Sequence, residues 1–197
     1  MNNSRYFTAP GSDRTYDRNW MLVALLISLA LTLLQVSSVN NLLPAIGNAM
    51  VSSESGIQLI LSGFALAVGI TLVPAGRLGD LWNRKAMFII GLLTFMAASL
   101  LCALAWHANV LVTARFVQGF AAGLLMPQVI GLIQNLFQGP ERGRAFGIFG
   151  ASIGLGTAFG PTIGGLLIGA LGEDLGWRWT FGMNVPIALI ILPFALK

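Results

Sequence analysis

Runs of mainly apolar residues alternate with short polar segments along the whole chain. A helix needs roughly 20 mostly apolar residues to cross the hydrocarbon core of a bilayer. The pattern therefore predicts an all-α integral membrane fold with a polar tail at residues 1–19. Six transmembrane helices are expected at about residues 20–43, 57–75, 86–106, 110–137, 145–171 and 181–196. The first apolar run is longer than the 7–15 residues of a signal peptide, so cleavage is not expected.

The composition supports a membrane protein. The chain is 56% hydrophobic and 9% charged, whereas soluble domains carry about 25% charged residues. The net charge of +4 is spread over short loops, so no nucleic-acid partner is expected. With one cysteine and one histidine, Cys102 and His107, the chain has no cluster that could bind a metal, and no cofactor is expected.

The basic residues predict the orientation of the helices. Counted by alternate sides, one side collects Arg5, Arg14, Arg18, Arg77, Arg84, Lys85, Arg142, Arg144 and Lys197. The other side carries Arg178 beside the acidic residues Glu54, Glu173 and Asp174. The positive side of a membrane protein faces the cytoplasm. We therefore expect a multi-pass protein of the plasma (inner) membrane with both termini on the cytoplasmic side.

The segment Gly76–Lys85, GRLGDLWNRK, is predicted to form a tight cytoplasmic turn between the second and third helices. An ordinary positive-inside loop would explain it equally well. The segment nevertheless resembles the G-x-L-a-D-r-x-G-r-k signature of the major facilitator superfamily. The matching positions are Gly76, Leu78, Asp80, Arg84 and Lys85, whereas Leu81 and Asn83 depart from it. The resemblance implies that this segment is part of a cytoplasmic gate.

Arg115 lies inside the fourth predicted helix, about six residues or ~9 Å from its outer end. A charge at such a depth is costly and faces a partner or a wet cavity, unless the side chain snorkels to the interface. The spacing of Leu111, Arg115, Gln118 and Gly119 is similar to the fourth-helix signature of the same superfamily. That resemblance implies that Arg115 takes part in proton coupling and that Gln118 lines the cavity.

The segment Gly156–Gly165, GTAFGPTIGG, interrupts the fifth apolar run with glycines and a proline. In a soluble helix an interior glycine costs ~1 kcal/mol and a proline ~3 kcal/mol, but membrane helices tolerate both. The pattern predicts a bent, tightly packed helix, and glycine packing without functional content remains the alternative. The segment resembles a g-x-x-x-G-P-x-x-G-G signature of the antiporters in this superfamily, which implies a hinge seam. The matching residues are Gly156, Gly160, Pro161, Gly164 and Gly165.

Two further segments, 34–44 and 176–186, resemble the fourteen-helix drug:proton antiporter branch. That branch carries an aspartate in the first helix where this chain has Gln35, although Asn40 and Pro44 keep their places. A glutamine can accept a hydrogen bond from a guanidinium but can neither neutralise it nor titrate. All seven acidic residues fall in predicted loops or the tail. We therefore expect a coupling carboxylate in a second half of the transporter, or altered coupling. A Gln35 that only bonds a neighbouring helix is the alternative.

The resemblance implies half of a transporter, with a 3+3 inverted repeat and substrate bound between two six-helix halves. Alone, these helices would turn Gln35, Asn40, Arg115 and Gln118 towards lipid, so a missing carboxy-terminal half is expected. The expected function is proton-coupled export of small, drug-like compounds by alternating access, with the lipid bilayer and a small-molecule substrate as partners. The alternative is a non-transporting six-helix module that binds or regulates another membrane protein.

An enzyme is not expected. Gly150–Gly154 matches the G-x-S-x-G nucleophile pattern, but a serine nucleophile needs a base within hydrogen-bonding distance. The single histidine, His107, is predicted on the outer side, whereas Ser152 lies about two turns from the cytoplasmic start of its helix. The two residues cannot form a catalytic dyad.

Overall fold

The computed structural model describes residues 6–8, 15–50 and 54–196, and this part of the chain is almost entirely helical. Two short strands, β1 (Tyr6–Thr8) and β2 (Thr15–Asp17), pair antiparallel within the predicted tail. The helices that follow are α1 (Arg18–Met50), α2 (Glu54–Leu81), α3 (Arg84–Ala103), α4 (Ala108–Leu136), α5 (Pro140–Gly182) and α6 (Asn184–Leu196). Arg5, Arg14 and Lys197, which the orientation argument uses, lie outside the described residues.

Five helical segments of the described chain are long and apolar enough to cross a membrane. The last of them, Pro140–Leu196, runs through both α5 and α6. The expectation of a helical membrane protein is confirmed. Helices α1, α2 and α5 are longer than the predicted apolar runs, whereas α6 is shorter. Helix α1 continues past Pro44 to Met50, since membrane helices tolerate proline.

The predicted turn at Gly76–Lys85 is mostly helical, which corrects the sequence-based expectation. Helix α2 continues to Leu81, and only Trp82 and Asn83 separate it from α3. The Asn83 side chain accepts hydrogen bonds from the backbone nitrogens of Lys85 and Ala86 at 2.9 and 3.2 Å. A side-chain acceptor of this kind satisfies the free amides at a helix start, so α3 begins directly after the two-residue turn.

Helix α5 breaks at Gly172 and not in the Gly156–Gly165 segment. Gly172 has φ 81° and ψ 169°, and it is the one non-helical residue within α5. Positive φ is accessible to glycine because it has no Cβ. After the break the chain turns back on itself, so that a methyl group on Gly176 would lie 2.5 Å from the Cα of Ile168. The sequence places the segment 176–186 at the start of the sixth helix, whereas residues 173–182 complete α5.

The helices pack as two main pairs, α1 with α5 and α2 with α4, and α3 lies against α4. Glycines bring α2 and α4 close together. A methyl group on Gly123 would lie 2.9 Å from the carbonyl oxygen of Val68, and one on Gly119 would collide with the carbonyl oxygen of Phe64. Without a hydrophobic driving force between helices in lipid, such close backbone contact is a main source of helix association. This packing fixes the helix faces that carry the buried polar residues.

Candidate functional site

Arg115 lies at the centre of the helix bundle and is 1% exposed. Its Nη1 donates a hydrogen bond of 2.6 Å to Oε1 of Gln118, and its Nε donates one of 3.4 Å to the carbonyl oxygen of Ile60. The guanidinium carbon lies 4.1 Å from the ring centroid of Phe64 and 5.7 Å from that of Phe181. Aromatic faces attract a cation through their quadrupole. The side chain is thus held inside the bundle and does not snorkel to an interface.

Hydrogen bonds extend from Arg115 to three further helices. Nε2 of Gln118 donates to Oγ of Ser99 on α3 at 2.7 Å. Nδ2 of Asn184 on α6 lies 3.4 Å from the same Ser99 oxygen and donates to Oε1 of Gln35 on α1 at 2.7 Å. We call these five residues, Gln35, Ser99, Arg115, Gln118 and Asn184, the polar network. All five are buried, and they connect α1, α3, α4 and α6.

The polar network contains one positive charge and no carboxylate. In the described part of the chain, the ion pairs join Arg18 to Glu141 and Arg84 to Asp80, both at helix ends. Arg115 instead has neutral acceptors and aromatic rings around it. Amides and hydroxyls do not titrate near neutral pH. The charge of Arg115 is therefore solvated by dipoles without being neutralised.

Two atoms of the polar network lack a hydrogen-bond partner among the described residues, Nε2 of Gln35 and Oδ1 of Asn184. An unsatisfied buried polar group costs about 1–3 kcal/mol, so such groups are points where a ligand, a water or a further protein segment can bind. The sequence allowed Gln35 to accept a hydrogen bond from the Arg115 guanidinium, but in the structure it does not. Gln118 fills that role, and Gln35 is tied to Asn184.

The structure brings together three of the four residues that the resemblance placed in the cavity. Gln35, Arg115 and Gln118 belong to the polar network, whereas Asn40 is exposed further along α1. Ser99 and Asn184 were not singled out from the sequence. Asn184 falls within the segment 176–186, but Ser99 lies in an apolar run with no distinguishing pattern.

The residues of the proposed gate are anchored to α4 and α6. Arg84 forms an ion pair with Asp80, and its Nη1 donates to the carbonyl oxygen of Pro127 at 3.2 Å. Its guanidinium packs directly on Gly131, where a methyl group would have no room. Nζ of Lys85 donates to the carbonyl oxygen of Leu196 at the end of α6, at 3.0 Å.

A second contact fixes the end of α2 beside this anchor. Nε2 of Gln128 donates to the carbonyl oxygen of Ala75 at 2.7 Å, and the Gln128 amide packs on Gly79. Gly76 lies beside Pro127, where a methyl group would make an ordinary contact of 3.7 Å. The gate residues are therefore held on α4, near the proline that interrupts its hydrogen-bond ladder.

One face of the Gly156–Gly165 segment packs on α1. A methyl group on Gly156 would lie 2.8 Å from the carbonyl oxygen of Ala30, and one on Gly160 would lie 2.7 Å from that of Leu34. A methyl group on Gly164 would make ordinary contacts of 3.5 Å with Ser38 and Leu42, whereas one on Gly165 would meet nothing within 4 Å. The segment thus contacts α1 on both sides of the turn that carries Gln35.

Arg178 closes the carboxyl end of α3. Its Nη1 donates to the carbonyl oxygens of Ala103 and Ala105 at 2.9 and 2.8 Å, and its guanidinium lies 4.4 Å from the Trp177 ring. A cation at a helix carboxyl end satisfies free carbonyls and complements the helix dipole. The sequence predicts Arg178 on the side opposite most of the basic residues, and in the structure its partners are the last carbonyls of α3.

An open groove of about 240 Å³ lies between α1, α2 and α4. Its lining is apolar except for one hydroxyl, and consists of Thr32, Leu33, Val36, Phe64, Ala65, Val68, Ala122 and Met126. The hydroxyl of Thr32 is bonded to the carbonyl oxygen of Ser28 at 2.9 Å. Phe64 also contacts Arg115, so this residue joins the groove to the polar network.

The chain is similar to several bacterial transporters. The probable actinorhodin transporter of Streptomyces coelicolor is 39% identical over 190 residues, which cover 93% of this chain and 33% of that protein. The puromycin resistance protein pur8 of Streptomyces alboniger is 39% identical over 176 residues (89% and 34%). The multidrug transporter protein MdtP of Bacillus subtilis is 34% identical over 183 residues (91% and 32%). The chain spans about a third of the length of these relatives.

Solved structures show the same fold at low sequence identity. A bacterial homologue of the human lysosomal transporter Spinster, in an inward-facing conformation, matches with a TM-score of 0.75 at 20% identity, covering 90% of this chain and 43% of that one. A proton:xylose symporter matches with a TM-score of 0.75 at 16% identity (91% and 44%). The sequence also matches the family model of the Major Facilitator Superfamily over residues 13–197. The chain therefore belongs to the Major Facilitator Superfamily.

Proposed function

We propose that the chain is the amino-terminal half of a secondary active transporter that exports small, drug-like compounds by alternating access. The observation that carries the proposal is the polar network, in which a buried cation connects four helices. Intramembrane ionisable groups mark substrate and ion pathways. Relatives named as an actinorhodin transporter, a puromycin resistance protein and a multidrug transporter support an export role. These relatives are transporters and not enzymes, in agreement with the sequence-based expectation.

We further propose six spans in a 3+3 inverted repeat, with both termini in the cytoplasm. The contacts at one end of the bundle support this topology. Arg18 at the start of α1 pairs with Glu141 at the start of α5, at 2.8 Å. Lys85 at the start of α3 bonds Leu196 at the end of α6. These helix ends therefore lie on one side, the side that also carries Arg142 and Arg144, as the positive-inside rule requires for a cytoplasmic face.

Asp80, Arg84 and Lys85, together with Gly76, are proposed as the cytoplasmic gate. The ion pair between Asp80 and Arg84 lies at the surface. Arg84 also donates a hydrogen bond to the Pro127 carbonyl, and Lys85 donates one to the Leu196 carbonyl. Rigid-body rocking of one half against the other requires contacts at this edge that form and break. An exposed carboxylate on a rigidly anchored helix end can make such a contact with a second half.

The Gly156–Gly165 segment is proposed as the seam along which α5 moves against α1. Gly156 and Gly160 hold the two backbones together, whereas Gly165 faces open space and leaves a surface for a further helix. Pro161 lies within the same stretch of helical backbone. A proline removes one hydrogen bond of the helix ladder, which lowers the cost of bending at this place.

Proton coupling is the part of the proposal that this chain does not complete alone. The described helices carry acidic residues only near their ends or directly after the break at Gly172, and the polar network contains no carboxylate. We propose that a proton-carrying carboxylate lies in a second half of the transporter, or that proton coupling is altered in this protein.

The proposal is tested by co-expressing the chain with the carboxy-terminal half of the probable actinorhodin transporter in a drug-sensitive bacterial host. A transporter half is expected to co-purify with that half and to raise the tolerated drug concentration. An Arg115→Ala variant that still reaches the membrane serves as the inactive control. Co-purification without any gain in tolerance would contradict the proposal and would favour a non-transporting module that binds a membrane partner.

A further inference from the structure

The open groove lies directly beside the buried cation. Its volume of about 240 Å³ is smaller than the pockets of about 300–1,000 Å³ that enclose a whole drug-sized ligand. It therefore has room for one apolar ring system of a larger compound. The neighbouring side chains Val36, Ala65 and Met126 offer that ring system only apolar contacts.

Phe64 belongs to both the groove and the polar network. It is 4% exposed and lines the groove, while its ring centroid lies 4.1 Å from the guanidinium carbon of Arg115. Its position is fixed from two directions, because Gly119 packs on its carbonyl oxygen and Arg115 bonds the carbonyl oxygen of Ile60 one turn earlier. An aromatic ligand that contacts the exposed edge of the Phe64 ring would have its own ring centre roughly 10 Å from the guanidinium, the sum of the 4.1 Å between guanidinium and Phe64 centroid and an ordinary aromatic contact.

At this distance the sign of the ligand's charge matters. The described residues place no carboxylate in the polar network to cancel the field of Arg115, and water is scarce in the surrounding membrane interior. An effective dielectric constant of about 20 gives a unit anion at roughly 10 Å about tenfold tighter binding than a neutral analogue, and weakens the binding of a cation by a similar factor.

We propose that the groove between α1, α2 and α4 binds the flat apolar part of an anionic aromatic compound, with the edge of Phe64 as the contact nearest the cation and Arg115 as the determinant of charge preference. The inference rests on the proposed transport function, since it names the substrate class of that transporter. It differs from the cationic compounds that drug exporters with an intramembrane aspartate would favour, because Gln35 leaves the positive charge uncompensated.

Equilibrium binding of three matched probes tests the proposal without requiring transport. The chain is purified into nanodiscs of uncharged phosphatidylcholine, and 2-naphthoate, 2-naphthamide and 2-naphthylmethylammonium are compared at one pH and ionic strength. We expect the naphthoate to bind about tenfold more tightly than the amide, and the ammonium compound to bind most weakly. Empty nanodiscs give the partition of each probe into lipid.

Substitutions separate the contribution of the groove to probe binding from the contribution of the Arg115 charge. Ala65→Phe fills the groove from an exposed position and should abolish binding of all three probes, whereas Ala97→Phe, exposed on α3 outside the groove, should leave binding unchanged. Arg115→Gln should equalise the three affinities, and Arg115→Lys should restore the preference for the anion. Arg142→Gln removes the same charge at an exposed position and should have no effect.

Equal affinities in the unmodified chain would overturn the proposal, as would an anion preference that survives in Arg115→Gln. If Arg115→Gln does not fold, the test uses the other two variants. An anion preference that is kept in Arg115→Lys and lost in Ala65→Phe supports the proposal. An anion preference that persists in Ala65→Phe overturns the proposal. Failure of export in the assembled transporter, with the charge-ranked binding intact, would refute the transport function alone. Export together with equal probe affinities would refute only the substrate class.

Discussion

A charged side chain at the centre of a membrane helix costs about 2.5–3.5 kcal/mol on insertion scales. Arg115 reduces this cost through short bonds to Gln118 and the Ile60 carbonyl and through the faces of two aromatic rings. None of these contacts neutralises the charge. A structural role would be served as well by an apolar residue, whereas retaining an uncompensated cation in the core fits a site that meets a charged ligand or a second half.

Asn184 provides the residue-level test of the polar network. Asn184→Ala removes both hydrogen bonds of its amide and leaves Oε1 of Gln35 without that donor, in a fully buried position. We expect a loss of about 1–3 kcal/mol of stability. The loss is measured as a lower thermal unfolding midpoint in mild detergent. Asn40→Ala, at an exposed position of α1, is the matched control and should change stability by less than about 0.5 kcal/mol.

Gln35 tests whether the network can be made to carry a proton. Gln35→Asp places a titratable carboxylate on the chain of hydrogen bonds that leads through Asn184, Ser99 and Gln118 to Arg115. We expect the assembled transporter to become more dependent on the pH gradient, since a titratable group now lies in the network. Transport of a probe at imposed gradients of different size gives the readout. An unchanged dependence would show that Gln35 has no coupling position.

Much of the polar network could be anticipated from the sequence, but not its connections. Arg115 and Gln118 stand out because charged and amide side chains are rare in an apolar run. Ser99 could not be found in this way, since a membrane serine most often bonds a carbonyl of its own helix, as Ser28 and Ser62 do here. Its bond to Gln118 depends on how α3 packs against α4, which no local pattern reveals.

Helix α5 shows how a repeated glycine pattern divides into different surfaces. Helix α1 packs directly on Gly156 and Gly160, no atom lies within 4 Å of a methyl group placed on Gly165, and the backbone break falls at Gly172. Gly156, Gly160 and Gly164 recur every four residues, and all three are buried, as expected for a tightly packed helix. The break was not predicted, because a glycine that adopts positive φ cannot be distinguished by sequence from one that allows close packing.

The seam between α1 and α5 is tested by Gly160→Ala. The added methyl group would meet the backbone carbonyl oxygen of Leu34 at 2.7 Å, and relief requires the two helices to separate. Overpacking of this kind costs about 1–3 kcal/mol, measured as a lower unfolding midpoint. Gly165→Ala in the same segment has nothing within 4 Å and should be neutral or stabilising by up to ~1 kcal/mol. Equal effects of the two substitutions would contradict the close packing of the seam.

The end of α2 allows gating to be separated from folding. Asp80 is 61% exposed in its pair with Arg84, and exposed ion pairs contribute about 0–1 kcal/mol. Asp80→Asn should therefore leave the unfolding midpoint of the chain nearly unchanged, because Arg84 keeps its bond to the Pro127 carbonyl. A gate role predicts a marked fall in transport by the assembled protein. Unchanged transport would show that Asp80 has no part in gating.

The described helices bring the polar network together in the interior of the bundle, and contacts between helix ends hold the bundle at one side. The apolar pattern sufficed to predict the helical membrane architecture, and the motifs sufficed to indicate the family. The exact ends of the helices could not be predicted, since residues such as Gly76 and Gly79 suggest a turn in isolation but pack against Pro127 and Gln128 as part of α2. Tertiary contacts decide between the two.

The most direct test of the account is efflux from membrane vesicles that contain the chain together with a matching carboxy-terminal half. An imposed pH gradient should drive movement of an aromatic drug-like probe, and Arg115→Ala should abolish this movement while both halves still co-purify. Gradient-driven flux that depends on Arg115 is the result the account predicts. Stable assembly of the two halves with no flux, or flux that is unaffected by Arg115→Ala, would contradict it.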